Sequence, residues 1–285
     1  MGPDVYSSIR ALVASDRSER RISSLLELQH LAEARKLLEA STRVAVVTGF
    51  YVPACRAPET DGPGGAVMIA RALERSGRDV SLFTDTFCVE VLRSASYSVN
   101  GPQVKQAESG GEIIDGRPDL VIYLERLGRA ADGKYYNMRG EDVSSTTPPL
   151  DEAALLAQAA GISVLAVGDG GNEVGMGNYI DRFSALLPHY APCLSVMKAT
   201  VTLPVDVSDW GGYALTALLS LSEGRWLGPE REEIGTLLEA LVNEGAVDGI
   251  SRLGMKTVDG FSLEVQEEIA VSLKKILLAS LSTSW

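Results

Sequence analysis

A chain of 285 residues that is 45% hydrophobic, with a formal charge of −12, has apolar material for one large α/β domain or two small ones. It lacks the basic footprint that a broad nucleic-acid surface needs. Three cysteines without a CxxC spacing, and two histidines in all (His30 and His189), disfavour a disulfide framework, a structural zinc and a histidine-based triad. No run reaches the ~18 apolar residues of a membrane span, and Met1 to Val13 shows no basic stretch followed by an apolar one. The expectation is a cytoplasmic protein with a small anionic substrate and no nucleic-acid or membrane partner. Oligomeric state is left open, a homo-oligomer included.

In chain order, residues 3–40 predict two helices, the second starting at Asp16 or Ser18. The α/β pattern begins at Arg43, where Val44–Val47 is a compact β-branched run ended by Thr48-Gly49-Phe50. Asp61-Gly62-Pro63 opens a helix, with Asp61 or Gly62 able to cap and Pro63 suited to the first turn. Gly77 stops it, and Val80–Phe83 is the next strand. Phe87–Ser94 predicts a helix and Leu120–Leu124 a third strand. Asp151–Ala160 predicts a helix capped by Asp151, and Ile162–Val167 a fourth strand. Val196–Val207 holds one or two more strands, interrupted at Pro204. Gly212–Ser222, Arg231–Glu244 and Leu263–Leu281 predict helices. This alternation implies a mainly parallel sheet with helices on both faces, a Rossmann-like three-layer α/β fold. The division expected is a helical N-terminal extension over 1–42 and one α/β domain over 43–285.

Right-handed crossovers place the loops that follow the strands along one edge. Three of those loops carry chemistry. Glu59-Thr60-Asp61-Gly62-Pro63-Gly64-Gly65 offers free N–H groups at a helix start, with glycines that let an anion approach. GxGxxG and GxxxxGK[ST] are both unmatched, which disfavours a dinucleotide site and a P-loop. The loop Glu125–Gly140 gathers Arg126, Arg129, Lys134, Arg139, Tyr135 and Tyr136; arginine forks suit carboxylates. Gly168-Asp169-Gly170-Gly171-Asn172-Glu173-Val174-Gly175-Met176-Gly177 interleaves five glycines with two carboxylates. Such glycine density marks a backbone that turns with φ > 0 or meets a ligand closely. Asp169 and Glu173 are candidates for a hard cation such as Mg²⁺, or for general-base work. Asp209 reads as an N-cap, and Asp248-Gly249 and Asp259-Gly260 as turns.

These loops resemble the D-glutamate cyclase family, specifically its C-terminal domain. The likeness is carried by Thr48-Gly49-Phe50, Glu59-Thr60-Asp61-Gly62-Pro63, Glu125-Arg126-x-Gly128-Arg129-Ala130-x-Asp132-Gly133-x-Tyr135-Tyr136-Asn137 and the glycine loop from Gly168 to Gly177. It runs from about Arg43 to Asp259. Fuller members of that family carry an additional N-terminal domain resembling a hydro-lyase, where this chain has residues 1–42. The resemblance implies a carbon–oxygen lyase that converts D-glutamate to 5-oxo-D-proline with release of water, without a redox cofactor. On that basis Arg126 or Arg129 is expected to hold the α-carboxylate, with backbone N–H groups near Gly64. Asp169 and Glu173 are expected to manage the amine proton and the γ-carboxyl, directly or through Mg²⁺, and Tyr135 to donate to the developing oxyanion. Asn137, Asn172, Asp61, Gly170 and Gly171 complete the expected substrate-binding set. Two other functions fit the same residues. One is a metal-dependent enzyme acting on a phosphorylated metabolite, with Asp61, Asp169 and Glu173 as ligands. The other is a non-catalytic module that binds an acidic amino acid.

Overall fold

The computed structural model describes residues 4–282. Its centre is a six-stranded sheet in the order β5-β4-β1-β6-β7-β8, with every neighbouring pair parallel. The strands are β1 (Arg43–Thr48), β4 (Asp79–Thr84), β5 (Val104–Gln106), β6 (Leu120–Leu124), β7 (Ser163–Gly168) and β8 (Val201–Pro204). Two short antiparallel hairpins stand outside it: β2 (Tyr51–Val52) with β3 (Ala57–Pro58), and β9 (Thr257–Val258) with β10 (Phe261–Ser262). The strand order reverses between β1 and β6. A crevice at the carboxyl ends of those two strands is where open sheets of this kind bind ligands.

Alternate residues of each strand face opposite layers, and both layers are covered. Val44, Val46, Ile122 and Leu165 share a core with α3 (Pro63–Arg75), α4 (Val89–Ser98), α8 (Ser208–Glu223), α9 (Arg231–Asn243) and α10 (Leu263–Ser282). Ala45, Val47, Val121, Tyr123 and Val164 pack instead with α5 (Gly110–Ile114) and α6 (Glu152–Ala159). Burial on two faces explains why the central strands read as unbroken apolar runs. The expected three-layer α/β architecture is the one observed.

Three differences from the predicted elements have physical causes. β5 and α5 are unpredicted, because β5 is three residues at a sheet edge with only Val104 buried. α8 starts at Ser208, four residues before the predicted Gly212, and runs through Gly211-Gly212. Glycine costs a helix ~1 kcal/mol relative to alanine, yet here it permits contact: a Cβ on Gly212 would lie 2.4 Å from the Cα of Gly65. The backbones of α3 and α8 therefore touch. Last, no helix begins at Asp16 or Ser18. α1 (Val5–Val13) and α2 (Leu28–Ala40) are joined by a strap containing a 3₁₀ turn (Ile22–Leu25), and α2 is capped by Glu27 with His30. The strap's course is set by Asp206, whose carboxylate accepts the N–H groups of Ser15, Asp16 and Arg17 at 2.9, 2.9 and 3.2 Å. Ile9, Val13, Leu31 and Leu38 are buried in the same core as β1, so this segment packs as part of the α/β layer.

Candidate active site

The start of α3 and the start of α8 are built as one unit. Asp209, in the first turn of α8, accepts the N–H groups of Gly62 (3.0 Å) and Gly65 (2.7 Å) at the start of α3. Asp61, just before α3, accepts those of Ser208 (3.0 Å) and Asp209 (2.8 Å) at the start of α8. Each helix thus satisfies the orphan N–H groups of the other, and two positive helix ends face one place. Gly64 makes this possible, since a Cβ there would fall 2.3 Å from Asp209 Oδ2. Of the N–H groups expected for an anion near Gly64, those of Gly62 and Gly65 are consequently engaged within the protein. Asp209 does not cap its own helix; it caps α3.

Beside this pair the loops after β1, β6 and β7 bring Asp61, Glu125 and Asp169 together, with carboxylate oxygens within 4.8 Å of one another. Ser208 ties them: its N–H reaches Asp169 Oδ2 at 3.1 Å and its Oγ donates to Glu125 Oε2 at 2.7 Å. Glu125 follows β6 with φ +44°, a conformation that costs a non-glycine residue ~1–2 kcal/mol and concentrates at functional sites. Glu125 and Asp169 border a cavity of about 270 Å³, whose walls also include Arg20, Glu59 and Asp259 and the apolar Phe50, Val52, Met138 and Ile250. Arg20 pairs with Asp169, and at 2.8 Å with Asp259. Glu59, 8% exposed, lies against the backbone of Gly249, where a Cβ would sit 1.5 Å from Glu59 Oε1.

Crowding acids in a dry place raises their proton affinity. Burial, then the charge of Asp259, pushes Asp61 up to about 7 from 3.8. Burial holds Glu59 well above the usual carboxylate range, reinforced by Asp259 and Asp61. It does the same for Glu125, reinforced by Glu173 and Asp61. Asp169 is raised by burial against the pull of Arg20. For Arg20 burial opposes the charge, but Asp169 and Asp259 outweigh it and its guanidinium is held more firmly protonated. Asp61 can therefore exchange a proton near neutrality, and its neighbours hold theirs more tightly than free carboxyls do. The cluster's oxygens could also share a divalent cation, since hard oxygen donors suit Mg²⁺; the trio that is close enough among the described residues is Asp61, Glu125 and Asp169, without Glu173.

Several sequence-predicted residues lie elsewhere. Arg126 is 1% exposed; it pairs with Asp85 and donates to the carbonyls of Gly49 (3.0 Å) and Pro148 (2.5 Å). Arg129 forms a two-pronged pair with Asp151 (2.7 and 2.9 Å), and the Tyr135 hydroxyl donates to the same carboxylate at 2.6 Å. None of the three lines the cavity. The expected carboxylate clamp by Arg126 or Arg129, and the oxyanion donor Tyr135, therefore do not form, because Asp85 and Asp151 already use those groups. The same network keeps the Asp151 side chain from capping α6.

Other predicted residues stand at or next to the site. Asn137, Asp169 and Asn172 line the cavity. Asn172 donates to the Tyr136 carbonyl at 2.8 Å, and its Oδ1 has no partner. Asn137 shapes the turn that carries Met138 and Arg139 over the cavity, accepting the N–H groups of Arg139 (2.9 Å) and Glu141 (3.1 Å). Glu173 sits just behind the wall: Oε1 accepts the N–H groups of Asp169 (2.8 Å) and Gly170 (2.5 Å), while Oε2 is buried without a partner. Gly170 keeps space clear, since a Cβ would lie 2.5 Å from Asn172 Oδ1. Gly171 turns with φ +89° and faces Leu194, away from the cavity. Sequence reasoning missed Arg20, Glu59, Glu125, Arg139 and Asp259 as cavity residues. For Glu59 and Glu125 a signal existed, since both stand in the loops that follow strands; for Arg20 there was none.

A family model described as D-glutamate cyclase-like, C-terminal, matches residues 9–274. The human mitochondrial D-glutamate cyclase is 30% identical over 234 residues, covering 74% of this chain and 38% of that protein. The chain thus spans less than two fifths of that relative. Among solved structures, an exopolyphosphatase-related protein from Bacteroides fragilis covers 92% of this chain and 62% of its own, with a TM-score of 0.46 and 8% identity. That score is too low to carry weight for fold or function. No helix among the described residues is long and apolar enough to cross a membrane.

Proposed function

The chain belongs to the D-glutamate cyclase-like family, and on that premise we propose that it is a lyase that cyclises D-glutamate to 5-oxo-D-proline with loss of water. The observation that carries this reading is the surplus of buried, proton-holding carboxyl groups around a cavity sized for a small molecule. In this reaction the amine nitrogen bonds to the carbon of the γ-carboxyl group and one of that group's oxygens departs. The ammonium gives up two protons, and the departing oxygen takes two to leave as water. No net proton is exchanged with solvent, so the site must move protons from nitrogen to oxygen. Carboxyl groups raised toward neutrality suit both halves of that transfer.

Asp169 and Glu125, which face the cavity, are assigned the proton transfers, with Asp61 behind them sharing the load. Glu59 is assigned a proton donor's place, because its carboxyl is raised by burial and makes no hydrogen bond among the described residues. Glu173 is assigned the holding of the glycine loop rather than the chemistry. Arg139, at the cavity mouth with no ion pair for its guanidinium among the described residues, takes over the carboxylate-binding role first expected of Arg126 and Arg129. The reading as a phosphate-binding enzyme loses its main support, since the N–H groups of Gly62 and Gly65 are given to Asp209.

The test is incubation of the purified chain with D- and L-glutamate, with and without Mg²⁺, followed by chiral analysis of products. Formation of 5-oxo-D-proline from the D-isomer is expected. Binding of D-glutamate without product would favour a binding module and end the lyase reading. Activity unchanged after treatment with EDTA and dialysis would remove the cation.

A further inference from the structure

We infer that Arg20 is a positioning residue of this site, a cation delivered by the strap between α1 and α2 that holds the carboxylates of Asp169 and Asp259 in place across the cavity. The inference rests on the cavity being the active site proposed above. Asp169 follows β7 and accepts the Ser208 N–H, Asp259 lies in the β9–β10 hairpin, and Arg20 bridges the two side chains. A guanidinium is a planar fork that can serve two carboxylates at once. Arg20 reaches both: Nη1 donates to Asp169, and Nη2 lies 2.8 Å from Asp259 Oδ2 as an ion pair. Glu125, Glu59 and Asp61 also face this region, Glu173 stands behind it, and Tyr190 lies near Glu173. Arg139 is the other cation on the cavity wall. Removing Arg20 leaves neighbouring carboxylates with no counter-charge between them.

The strap is built for this delivery. Asp206, wholly buried, anchors the backbone at Ser15, Asp16 and Arg17. Arg17 lies over the Trp210 ring at 5.6 Å, and the Arg21 N–H donates to Asp16 Oδ1 at 2.6 Å. Asp16, Glu19 and Arg21 all carry positive φ (62°, 57° and 64°). That conformation is unfavourable for any residue but glycine, and strain of this kind persists where surrounding structure over-determines it. The chain holds an unfavourable path around Arg20 by three backbone bonds to one buried carboxylate. A segment that only connected two helices would not need that path.

Arg20→Gly removes the fork and leaves a guanidinium-shaped space. Expected is a fall of about 10²-fold in kcat/KM for D-glutamate, the scale of a misplaced catalytic group, with the fold retained by circular dichroism. Guanidinium chloride at about 50 mM should then recover about tenfold of the loss and raise the Tm of Arg20→Gly, but not of wild type, because it binds only where the side chain is missing. Arg20→Lys should stay impaired, since a point charge cannot span both carboxylates. The Tm comparison needs no turnover. If the wild-type chain leaves D-glutamate unchanged while guanidinium selectively stabilises Arg20→Gly, the positioning role stands and the proposed reaction falls. Full activity in Arg20→Gly, or guanidinium acting alike on both proteins, overturns the inference.

Discussion

Two clusters of arginine and acid at the carboxyl edge of the sheet differ in how their acids are partnered. Around Arg126 and Arg129 each acid has an arginine partner, Glu152 included at 3.6 Å from Arg129. Asp85 answers Arg126, and Asp151 answers Arg129 while also accepting from Tyr135. That cluster is a clasp between the loop after β6 and its neighbours. Around the cavity the acids outnumber the cations: Glu59, Glu125, Asp169 and Asp259 line it with Arg20 and Arg139, and Asp61 stands just behind. Residue types are the same in both places. The first set is held by pairing and serves architecture, whereas burial with few counter-charges raises the proton affinity of Glu59, Asp61, Glu125 and Asp169.

The comparison breaks first on activity. Glu125→Gln should lower kcat by ~10²–10⁴-fold while leaving stability unchanged or improved, because it removes one of several crowded buried acids; full turnover would take proton transfer away from Glu125. Arg126→Ala should do the reverse. It strands the Asp85 carboxylate in the core, a loss of ~3–5 kcal/mol, seen as a lower urea midpoint, with KM of the folded fraction unchanged. An unaltered midpoint would show that the clasp is not structural.

The pH dependence sharpens the contrast. Asp61 is an acid whose pKa rises from 3.8 unfolded to about 7 folded, so the folded state binds its proton more tightly. That contribution is fully present below about pH 4 and is lost as pH rises through about 7. Stability should therefore decline across this window, by at most ~1.4 kcal/mol per pH unit for one such group. Asp61→Asn should flatten the slope in denaturation curves taken at successive pH values; an unchanged slope would reassign the proton. The smallest effect separates the arginines: Arg139→Ala should raise KM about tenfold, and Arg129→Ala should leave it within about twofold, since Asp151 already holds that fork. The opposite pattern would return the carboxylate clamp to Arg129.

The sheet was legible because its strands are buried on both faces, and burial writes itself into sequence as β-branched runs such as Val44–Val47 and Leu120–Leu124. Helices with strong stops, such as the one ended near Gly77, were legible for the same local reason. α8 was misjudged at its start because Gly211 and Gly212 look like breakers; only the opposing Gly65 explains them. The site was half legible. The loops were found, since glycine density is local, and Asn137, Asp169 and Asn172 on the cavity wall, with Asp61 beside them, were named from them. The choice among the arginines failed, because a guanidinium's partner can be any acid in the chain. Arg126 meets Asp85, 41 residues away, and Arg20 meets Asp169, 149 residues away.

By itself, then, the sequence determined the α/β alternation, the edge of the sheet where loops gather, and the resemblance to one family through motifs that sit in those loops. These follow from patterns a few residues long, set by backbone geometry and burial period. Tertiary structure alone decided which acids are held by pairing and which crowd with few counter-charges, that α3 and α8 cap each other, and that a strap preceding the α/β pattern carries a cation into the cavity. Such features depend on distances between side chains remote in the chain. Electrostatic energy depends on those distances and on the water excluded between them, and a sequence records neither.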